Sequence, residues 1–393
     1  MDLNITHKHR TLTYLVVANF MFYIGFSIWQ TSINNFAVED LGIGALDVGW
    51  MQSFREIPGL MGFLLAFIAI YLSEVRIMAL SVILLGGGIS LSGQANDLPF
   101  LLMSVLVMSF GFHMFYASSD AVVLMAVDKE NSPKTFGQLS SLGAIAALFA
   151  SALVYFLAEP LGFRTLFMIT GGFVVLGGFL LLPLGRAQKA MTSRHKITFR
   201  KKYWLFYALS FLMGSRRHIF TTFAIFLLVQ KHGISVQTTA ILFFVNSVLN
   251  VFAYQFIGRM VGRLGERLML SIAFGLLIFI FLGYAFVTSL IVLFVFFVVD
   301  NLLFGFNLAL MTYFQKIAVS QEEITSNVAV EQTINHISAV IVPIIGGAAW
   351  ELFGSQTPFL VGVGIVAVSF VLVQFMKVPD ITPSLAEAAL IES

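Results

Sequence analysis

The run from Tyr203 to Val229 is apolar except near its middle, where it reads Met213-Gly214-Ser215-Arg216-Arg217-His218. About 20 apolar residues are enough to cross a bilayer as a helix. Arg216 follows Tyr203 by 13 residues, or roughly 20 Å of helix, which places it near the centre of the hydrocarbon. A charge at that depth is costly and normally faces a protein interior or a wet cavity. The run therefore predicts a transmembrane helix whose arginines form an anion site or charge relay, or else a structural ion pair.

The composition is that of an integral membrane protein, with 59% hydrophobic residues, 11% charged residues and a mean hydropathy of +0.93. A net charge of +2 without a basic domain argues against a nucleic-acid partner. The chain has no cysteine, which excludes disulfides and thiolate metal sites. No small-residue cleavage site follows the first apolar stretch, so we expect a retained first helix and not a signal peptide.

The apolar segments are too long for barrel strands and lack strand alternation, so they predict an all-α membrane protein. We predict twelve spans: 11–36, 46–72, 77–94, 98–126, 135–158, 163–184, 203–229, 236–258, 268–287, 289–315, 326–350 and 356–377. A basic linker at 185–202 separates two six-helix bundles, 1–184 and 203–377, and a tail follows at 378–393.

The distribution of lysine and arginine predicts the orientation, because basic residues concentrate in cytoplasmic segments. With the N-terminus inside, 17 of the 22 basic residues lie in cytoplasmic segments, and the outer loops hold only Arg164 and Lys231. We therefore expect both termini to be cytoplasmic. The compact loops favour a bacterial inner membrane.

The two halves also resemble each other in sequence. An offset of 191 residues aligns the segment from Leu41 to Met51 with the segment from His232 to Leu242, and it aligns Arg76 with Arg267. The aligned loops join spans 1 and 2 and spans 7 and 8, so the halves have the same orientation. This predicts a parallel repeat about an axis along the membrane normal.

Twelve spans in two halves joined by a basic linker resemble the major facilitator superfamily. The best local match is Gly258-Arg-Met-Val-Gly-Arg263-Leu-Gly265-Glu-Arg267, which is similar to the family's loop motif. Gly262 stands where that motif has an acidic residue, and the first-half counterpart, Phe67 to Arg76, has lost nearly all of it. The proline–glycine motif of many drug antiporters is absent from Ser141 to Tyr155. This weakens an exporter interpretation without excluding it.

The resemblance implies that spans 1, 4, 7 and 10 line a central cavity, that spans 2, 5, 8 and 11 flank it, and that spans 3, 6, 9 and 12 face outward. The ionisable residues agree with that layout, because the interiors of the four outward spans contain none. Those inside the other spans are Arg55, Glu56, His113, Asp120, Arg216, Arg217, His218, Asp300, Glu331 and His336.

Eleven residues are candidates for binding the substrate or coupling its transport to protons: Trp29, Gln30, Arg55, Glu56, His113, Tyr116, Arg216, Arg217, Asp300, Asn301 and His336. Several have plain structural alternatives. Arg55 and Glu56 could be a buried pair holding two helices together, Trp29 an interfacial aromatic residue, and His113 a packing residue. Asp300 could neutralise one of the arginines or carry the coupling proton.

A second set is predicted to form a cytoplasmic gate. Asp120 and Glu331 lie close to the inner edge, where Glu331 suits a gate and a surface role equally. The resemblance adds the loop residues Gly258, Arg263, Gly265 and Arg267.

These features predict a secondary transporter that moves a small solute by proton-coupled alternating access, as symporter or antiporter. Arg55, Arg216 and Arg217 outnumber Glu56 and Asp300 at mid-depth, and this net positive charge favours an organic anion. If Asp120 and Glu331 are included, the net charge becomes negative. Efflux of amphipathic compounds is the alternative, and a membrane sensor or enzyme a remote one. Signatures of ATP-driven, zinc-protease and serine-hydrolase chemistry are absent, so we expect no enzyme, no cofactor and no metal. We expect a monomer whose partners are its solute, protons and lipid.

Overall fold

The computed structural model describes residues 2–62, 68, 71–127, 131–184 and 200–378. Most of the predicted linker, 185–199, and the tail from 379 onward lie outside the described residues, as does part of the segment from Phe67 to Arg76. Within the described part of the chain, every regular element is a helix.

The first half begins with four helices, Asp2–Glu39, Ala45–Leu60, Glu74–Ser92 and Leu98–Ala126, which correspond to spans 1 to 4. The helices of spans 2 and 3 end at Leu60 and Ser92, before the predicted ends at 72 and 94. A helix from Ser132–Leu181 follows and contains spans 5 and 6. Its direction changes at Gly162, whose φ of 72° and ψ of 156° are not helical. Proline at position 160 precedes that break, so the chain turns back there after about 30 residues of helix.

The second half contains Trp204–His232, Val236–Leu264 and Glu266–Phe286 as spans 7 to 9. Span 10 is formed by Leu290–Leu303 and Asn307–Ile317, with one 3₁₀ turn at Phe304–Phe306 between them. Spans 11 and 12 lie in Gln321–Phe353 and Thr357–Val373.

Nine helices in the described part of the chain are long and apolar enough to cross a membrane, and one of them, Lys134–Leu181, has 48 residues and crosses twice. The shorter helices Ala45–Leu60 and Thr357–Val373 supply the remaining crossings among the described residues. The prediction of twelve transmembrane helices is confirmed.

The predicted repeat is visible in the backbone. Gly42 and Gly233, which are 191 residues apart, both have a φ of 62° and end spans 1 and 7. The next residue in each half bonds back into the helix at the same offset: the Ile43 amide donates to the Ala37 carbonyl at 2.9 Å, and the Ile234 amide donates to the Leu228 carbonyl at 3.3 Å. Glycine fits this left-handed helix ending without strain. The two halves therefore repeat one structure.

Spans 2 and 11 provide the closest approach between the halves. A Cβ atom on Gly49 would lie 2.4 Å from the carbonyl oxygen of Pro343, and a Cβ atom on Gly347 would lie 2.6 Å from that of Ala45. Both glycines are close to the end of the molecule where residues 40–44 connect spans 1 and 2, which we call the 1–2 end. Backbone packs directly on backbone there, and a side chain at either glycine would force the halves apart.

Candidate functional site

A cavity of about 360 Å³ lies between the two halves. Its walls come from spans 1, 2 and 4 of the first half and spans 7, 8 and 11 of the second. The lining residues are Phe26, Trp29, Gln30, Ile33, Asn34, Gln52, Arg55, Glu56, Phe112, His113, Tyr116, Arg217, His218, Thr221, Ile225, Phe243, Asn335 and His336. Eight of the eleven predicted binding residues are among them.

Glu56 is the only carboxylate among the described lining residues, and both of its oxygens have partners. Arg55 donates to Oε1 from Nη2 at 2.9 Å and from Nε at 3.2 Å. Oε2 lies 3.1 Å from Nδ1 of His336. Glu56 therefore joins span 2 to span 11, which combines the predicted buried pair with a contact between the halves.

His113 faces the same cluster from span 4. Its ring lies 5.0 Å from the His336 ring, and its Nε2 lies 3.4 Å from the carbonyl oxygen of Arg55. Ser109, one turn earlier, also donates to that carbonyl. Glu56, His113 and His336 consequently bring one potential ligand atom each to within 4.8 Å of one another.

Arg217 presents its guanidinium to the cavity and is exposed there. Its Cζ atom lies 5.4 Å from the centre of the Phe304 ring, and Glu331 lines the small pocket beside it. No described residue forms an ion pair or hydrogen bond with it. A charged group held open in a largely enclosed cavity is a suitable partner for an anionic solute.

Arg216 points into the second half and not into the cavity. Its Nη1 donates to Oδ1 of Asp300 at 2.7 Å, and the two side chains are 3% and 0% exposed. Among the described residues, the Nε of Arg216 and the Oδ2 of Asp300 have no hydrogen-bond partner. Arg216 and Asp300 thus form the structural ion pair that the sequence left open as the alternative. Their direct role in substrate binding stays a prediction.

Two further candidates have structural partners. Asn301 accepts a hydrogen bond from Nδ2 of Asn250 at 2.9 Å, which ties span 10 to span 8, and it does not line the cavity. Trp29 lines the cavity but is only 1% exposed, and its indole nitrogen donates to Ser92 at 3.3 Å. It is a buried residue packed against span 3.

The predicted gate residues lie away from the central cluster. Glu331 lines a small pocket of about 40 Å³ beside Arg216 and Arg217, and Asp120 is exposed. In the loop motif, Gly265 has a φ of 79° and separates the helix of span 8 from the helix of span 9. Arg267 donates to Gln374 at 3.2 Å. That contact lies within the second half, and the gate role of Gly258, Arg263, Gly265 and Arg267 stays a prediction.

The residue that anchors this loop is Glu266, which sequence analysis did not select. Its Oε1 lies 2.6 Å from Nζ of Lys316, and its side chain is 3% exposed. The pair ties the start of span 9 to the end of span 10. Its signal was present in the sequence, because an acidic residue follows Gly265 in an otherwise basic motif.

A second cluster at the chain's re-entry into the membrane was also missed. Arg200 forms an ion pair with Glu323, and Tyr203 donates to the same carboxylate. Glu323 precedes the membrane-crossing part of its helix, which begins at Ser326. Hydrogen bonds from Arg200, and next from Tyr203, lower the pKa of Glu323 from 4.5 to about 2. The pair joins the end of the linker to span 11.

Several cavity residues were not among the predicted binding candidates. His218 lies 3.3 Å from Oδ1 of Asn335, across the approach of spans 7 and 11 at Gly214. Asn34, Gln52 and Thr221 also line the cavity. Gln52 precedes Arg55 by three residues and so shares its helical face, a spacing that could have identified it.

Hydrogen bonds close the cavity at the 1–2 end. The Asn35 side chain donates to the Ile234 carbonyl and accepts from Thr239, each at 3.0 Å. The amide of Leu46 donates to Glu351 at 3.0 Å, and Gln237 donates to Glu159 at 2.8 Å. Towards the other end, the side chains of Tyr116, Asp120 and Gln332 are exposed.

Comparison with known proteins agrees with this architecture. The family described as Major Facilitator Superfamily matches residues 15–329 and again residues 205–391. No curated protein matches the chain by sequence. Solved structures of similar fold include the nucleoside transporter NupG, at 17% identity and a TM-score of 0.76 over 93% of this chain and 98% of that one. They also include a bacterial homologue of the human lysosomal transporter Spinster, inward-facing and occupied, at 15% identity and a TM-score of 0.74 over 93% and 96%.

Proposed function

Because the chain belongs to the major facilitator superfamily, whose members are transporters and not enzymes, we propose that it carries a small organic anion through the central cavity by proton-coupled alternating access. The single observation that carries the anion assignment is the exposed guanidinium of Arg217, with which no described carboxylate forms an ion pair or hydrogen bond.

The charges of the lining favour an anion. Arg55 and Arg217 face a single carboxylate, Glu56, so the lining carries one excess positive charge with its histidines neutral. Arg216 does not change this balance because Asp300 neutralises it outside the cavity. Asp120 and Glu331, which left the sign open in the sequence, are not among the lining residues.

The size and walls of the cavity favour a small solute with an apolar part. A volume of about 360 Å³ is near the lower end of the ~300–1,000 Å³ typical of ligand pockets. Phe26, Phe112, Tyr116 and Phe243 supply aromatic surface, while Gln30, Asn34 and Gln52 supply amide groups. We therefore expect a carboxylate or phosphate attached to a flat or apolar body.

The contacts between the halves support alternating access. Hydrogen bonds and glycine packing close the 1–2 end, and the side chains of Tyr116, Asp120 and Gln332 are exposed towards the opposite end. With both termini cytoplasmic, this is an inward-facing state. Rocking of the bundle 1–184 against the bundle 203–377 would open the 1–2 end. We place the transporter in a bacterial inner membrane as a monomer.

Asp300 is our candidate for the coupling proton. Its Oδ2 has no described hydrogen-bond partner, and an ionised oxygen left bare in a buried site is costly. Protonation would remove that cost and weaken the hold on Arg216. Because Arg217 follows Arg216 on the same helix, a movement of Arg216 would also change the position of Arg217 in the cavity.

Export of amphipathic compounds is the second candidate, and the aromatic wall favours it. The two proposals differ in the sign of the charge that the solute carries. The test is thermal unfolding of the purified protein with benzoate, benzamide or benzylamine, which share one ring and differ in charge. A specific ligand raises the apparent stability by mass action. Stabilisation by benzoate alone supports the anion, whereas stabilisation by benzylamine alone supports the exporter and overturns our proposal.

A further inference from the structure

Glu56, His113 and His336 come from three different spans and converge on one point. Their potential ligand atoms all lie within 4.8 Å of one another. In a tetrahedral zinc site with bonds of about 2.0–2.1 Å, neighbouring ligand atoms are roughly 3.3 Å apart. The Oε2 of Glu56 and the Nδ1 of His336 are already at 3.1 Å. Small side-chain movements would therefore complete the geometry.

We propose that this triad binds a divalent first-row transition metal, with Zn²⁺ as the reference ion. Two imidazoles and one carboxylate form a donor set that suits zinc, cobalt and nickel and suits magnesium poorly. The inference departs from the sequence-based expectation of no metal. It does not depend on the identity of the transported solute.

The groups around the triad resemble the outer shell of a metal site. Arg55 donates to Oε1 of Glu56 and leaves Oε2 on the side of His336. The carbonyl oxygen of Arg55 lies 3.4 Å from Nε2 of His113 and can orient that ring. Ligating carboxylates and imidazoles are commonly held by hydrogen bonds of this kind. One residue, Arg55, thus positions two of the three ligands.

The positive charge of the cavity limits the affinity of the triad for a metal ion. Arg55 and Arg217 repel a cation, and only Glu56 among the described lining residues attracts it. Three protein ligands would leave a fourth position for a ligand from the cavity, which the triad and Arg217 both line. An anion at that position would offset the added charge, so metal and anion should bind more tightly together than separately.

A bound metal would also join the two halves. Glu56 and His113 belong to the first half, and His336 belongs to the second. The ion would add coordination bonds to a contact that already includes the ring pair of His113 and His336. It would therefore stabilise the state in which the 1–2 end is closed.

The test uses the full-length protein, purified in detergent with its affinity tag removed, and measures thermal unfolding and calorimetric binding of Zn²⁺. We expect Zn²⁺ to raise the unfolding temperature and Mg²⁺ to have no effect. His113→Gln and His336→Gln should each weaken Zn²⁺ binding by at least about tenfold, since even the loss of an outer-shell partner costs 10–100-fold. His232→Gln, at the end of span 7 and outside the triad, is the control and should bind as the wild type does.

Cobalt gives a second readout that surface binding would not reproduce. Four-coordinate Co²⁺ with two imidazoles and one carboxylate absorbs visible light much more strongly than hydrated Co²⁺, and this strong absorption should be lost in His336→Gln and persist in His232→Gln. Equal Zn²⁺ binding by the wild type and by both triad variants would overturn the proposal, as would the absence of any Zn²⁺ effect. If one triad variant does not fold, the other decides the question alone.

Discussion

Arg216 donates a hydrogen bond to Asp300 across 2.7 Å in the interior of the second half, whereas its sequence neighbour Arg217 opens into the cavity between the halves. Adjacent residues on a helix point about 100° apart. The helix thus directs Arg216 into the interior of the second half and Arg217 into the cavity between the halves. The two positions should respond to mutation in different ways.

Arg216→Ala should destabilise the protein strongly. Removing one partner of a buried ion pair costs about 3–5 kcal/mol because the other charge is left unpaired. Thermal unfolding of the purified variant measures this loss. The double variant Arg216→Met, Asp300→Leu removes both charges and should recover most of the stability without recovering proton-driven transport. Equal instability of the single and double variants would contradict the ion-pair assignment.

Arg217→Gln should lower the unfolding temperature only slightly, because no described residue forms an ion pair or hydrogen bond with Arg217 and its ring contact is with Phe304 alone among the described residues. It should weaken binding of a carboxylate solute by about 10-fold or more, as a hydrogen bond to a charged group contributes about 1.5–3 kcal/mol. Uptake into proteoliposomes at varied solute concentration measures this as a raised KM. Arg217→Lys keeps the charge but loses the planar guanidinium, so its KM should lie between those of the wild type and Arg217→Gln. An unaltered KM in Arg217→Gln would remove the anion site from the cavity.

Asp300→Asn should separate solute movement from proton movement. The variant keeps a hydrogen-bond acceptor for Arg216 but cannot exchange a proton. We expect exchange of labelled for unlabelled solute across the membrane to persist, while accumulation driven by a pH gradient is lost. Gradient-driven accumulation at the wild-type level would assign the coupling proton to another group.

The Glu323 carboxylate should make stability depend on pH in a defined window. The pKa of Glu323 is about 2 in the folded protein, below its usual value of 4.5, which we take for the unfolded chain. The carboxylate therefore adds fully to the free energy of unfolding above pH 4.5, and this contribution is lost as the pH falls towards 2. The difference in stability between wild type and Glu323→Gln should therefore decrease as the pH falls below 4.5. Unfolding followed from pH 7 to pH 3 measures it. A difference that stays constant over this range would argue against the ion pair with Arg200.

Gly347→Val should open the 1–2 end. The added side chain meets backbone atoms of Ala45 and Leu46 within 2.7 Å, and neither can move aside easily. A reporter is available because the chain has no cysteine: Thr221→Cys places one in the cavity wall. Gly347→Val should increase its labelling by an impermeant maleimide added at the 1–2 end by several-fold. Gly364→Val has open space around it and should not change the labelling.

The helices and their repeat were accessible from sequence because each signal is local. Apolar length predicted the crossings, and the offset of 191 residues predicted the repeat, which the structure shows in the shared helix ending at Gly42 and Gly233. Segregation of ionisable residues also predicted the charged residues and histidines of the cavity lining, because a charge facing lipid is costly at any position.

The pairing of the charges was not accessible, because it depends on how helices are rotated and packed. Glu56 and His336 meet although 280 residues separate them, and nothing in either local sequence names the other. The same limit applied to Arg216 and Arg217, which are equivalent in sequence until Asp300 is placed beside one of them. Arg200 and Glu323 were missed because both lie at helix ends, where a charge carries no signal of burial.

The closed 1–2 end is built from backbone packing at Gly49 and Gly347 and from hydrogen bonds with at most one charged partner each. Among the described residues at that end, no ion pair joins the halves. Dissolved salt weakens interactions between charges, so it should have little effect on the contacts at this end. Apolar contact, in contrast, weakens on cooling. The balance between the two access states should therefore hold steady when the surroundings become saltier and should drift when they become colder.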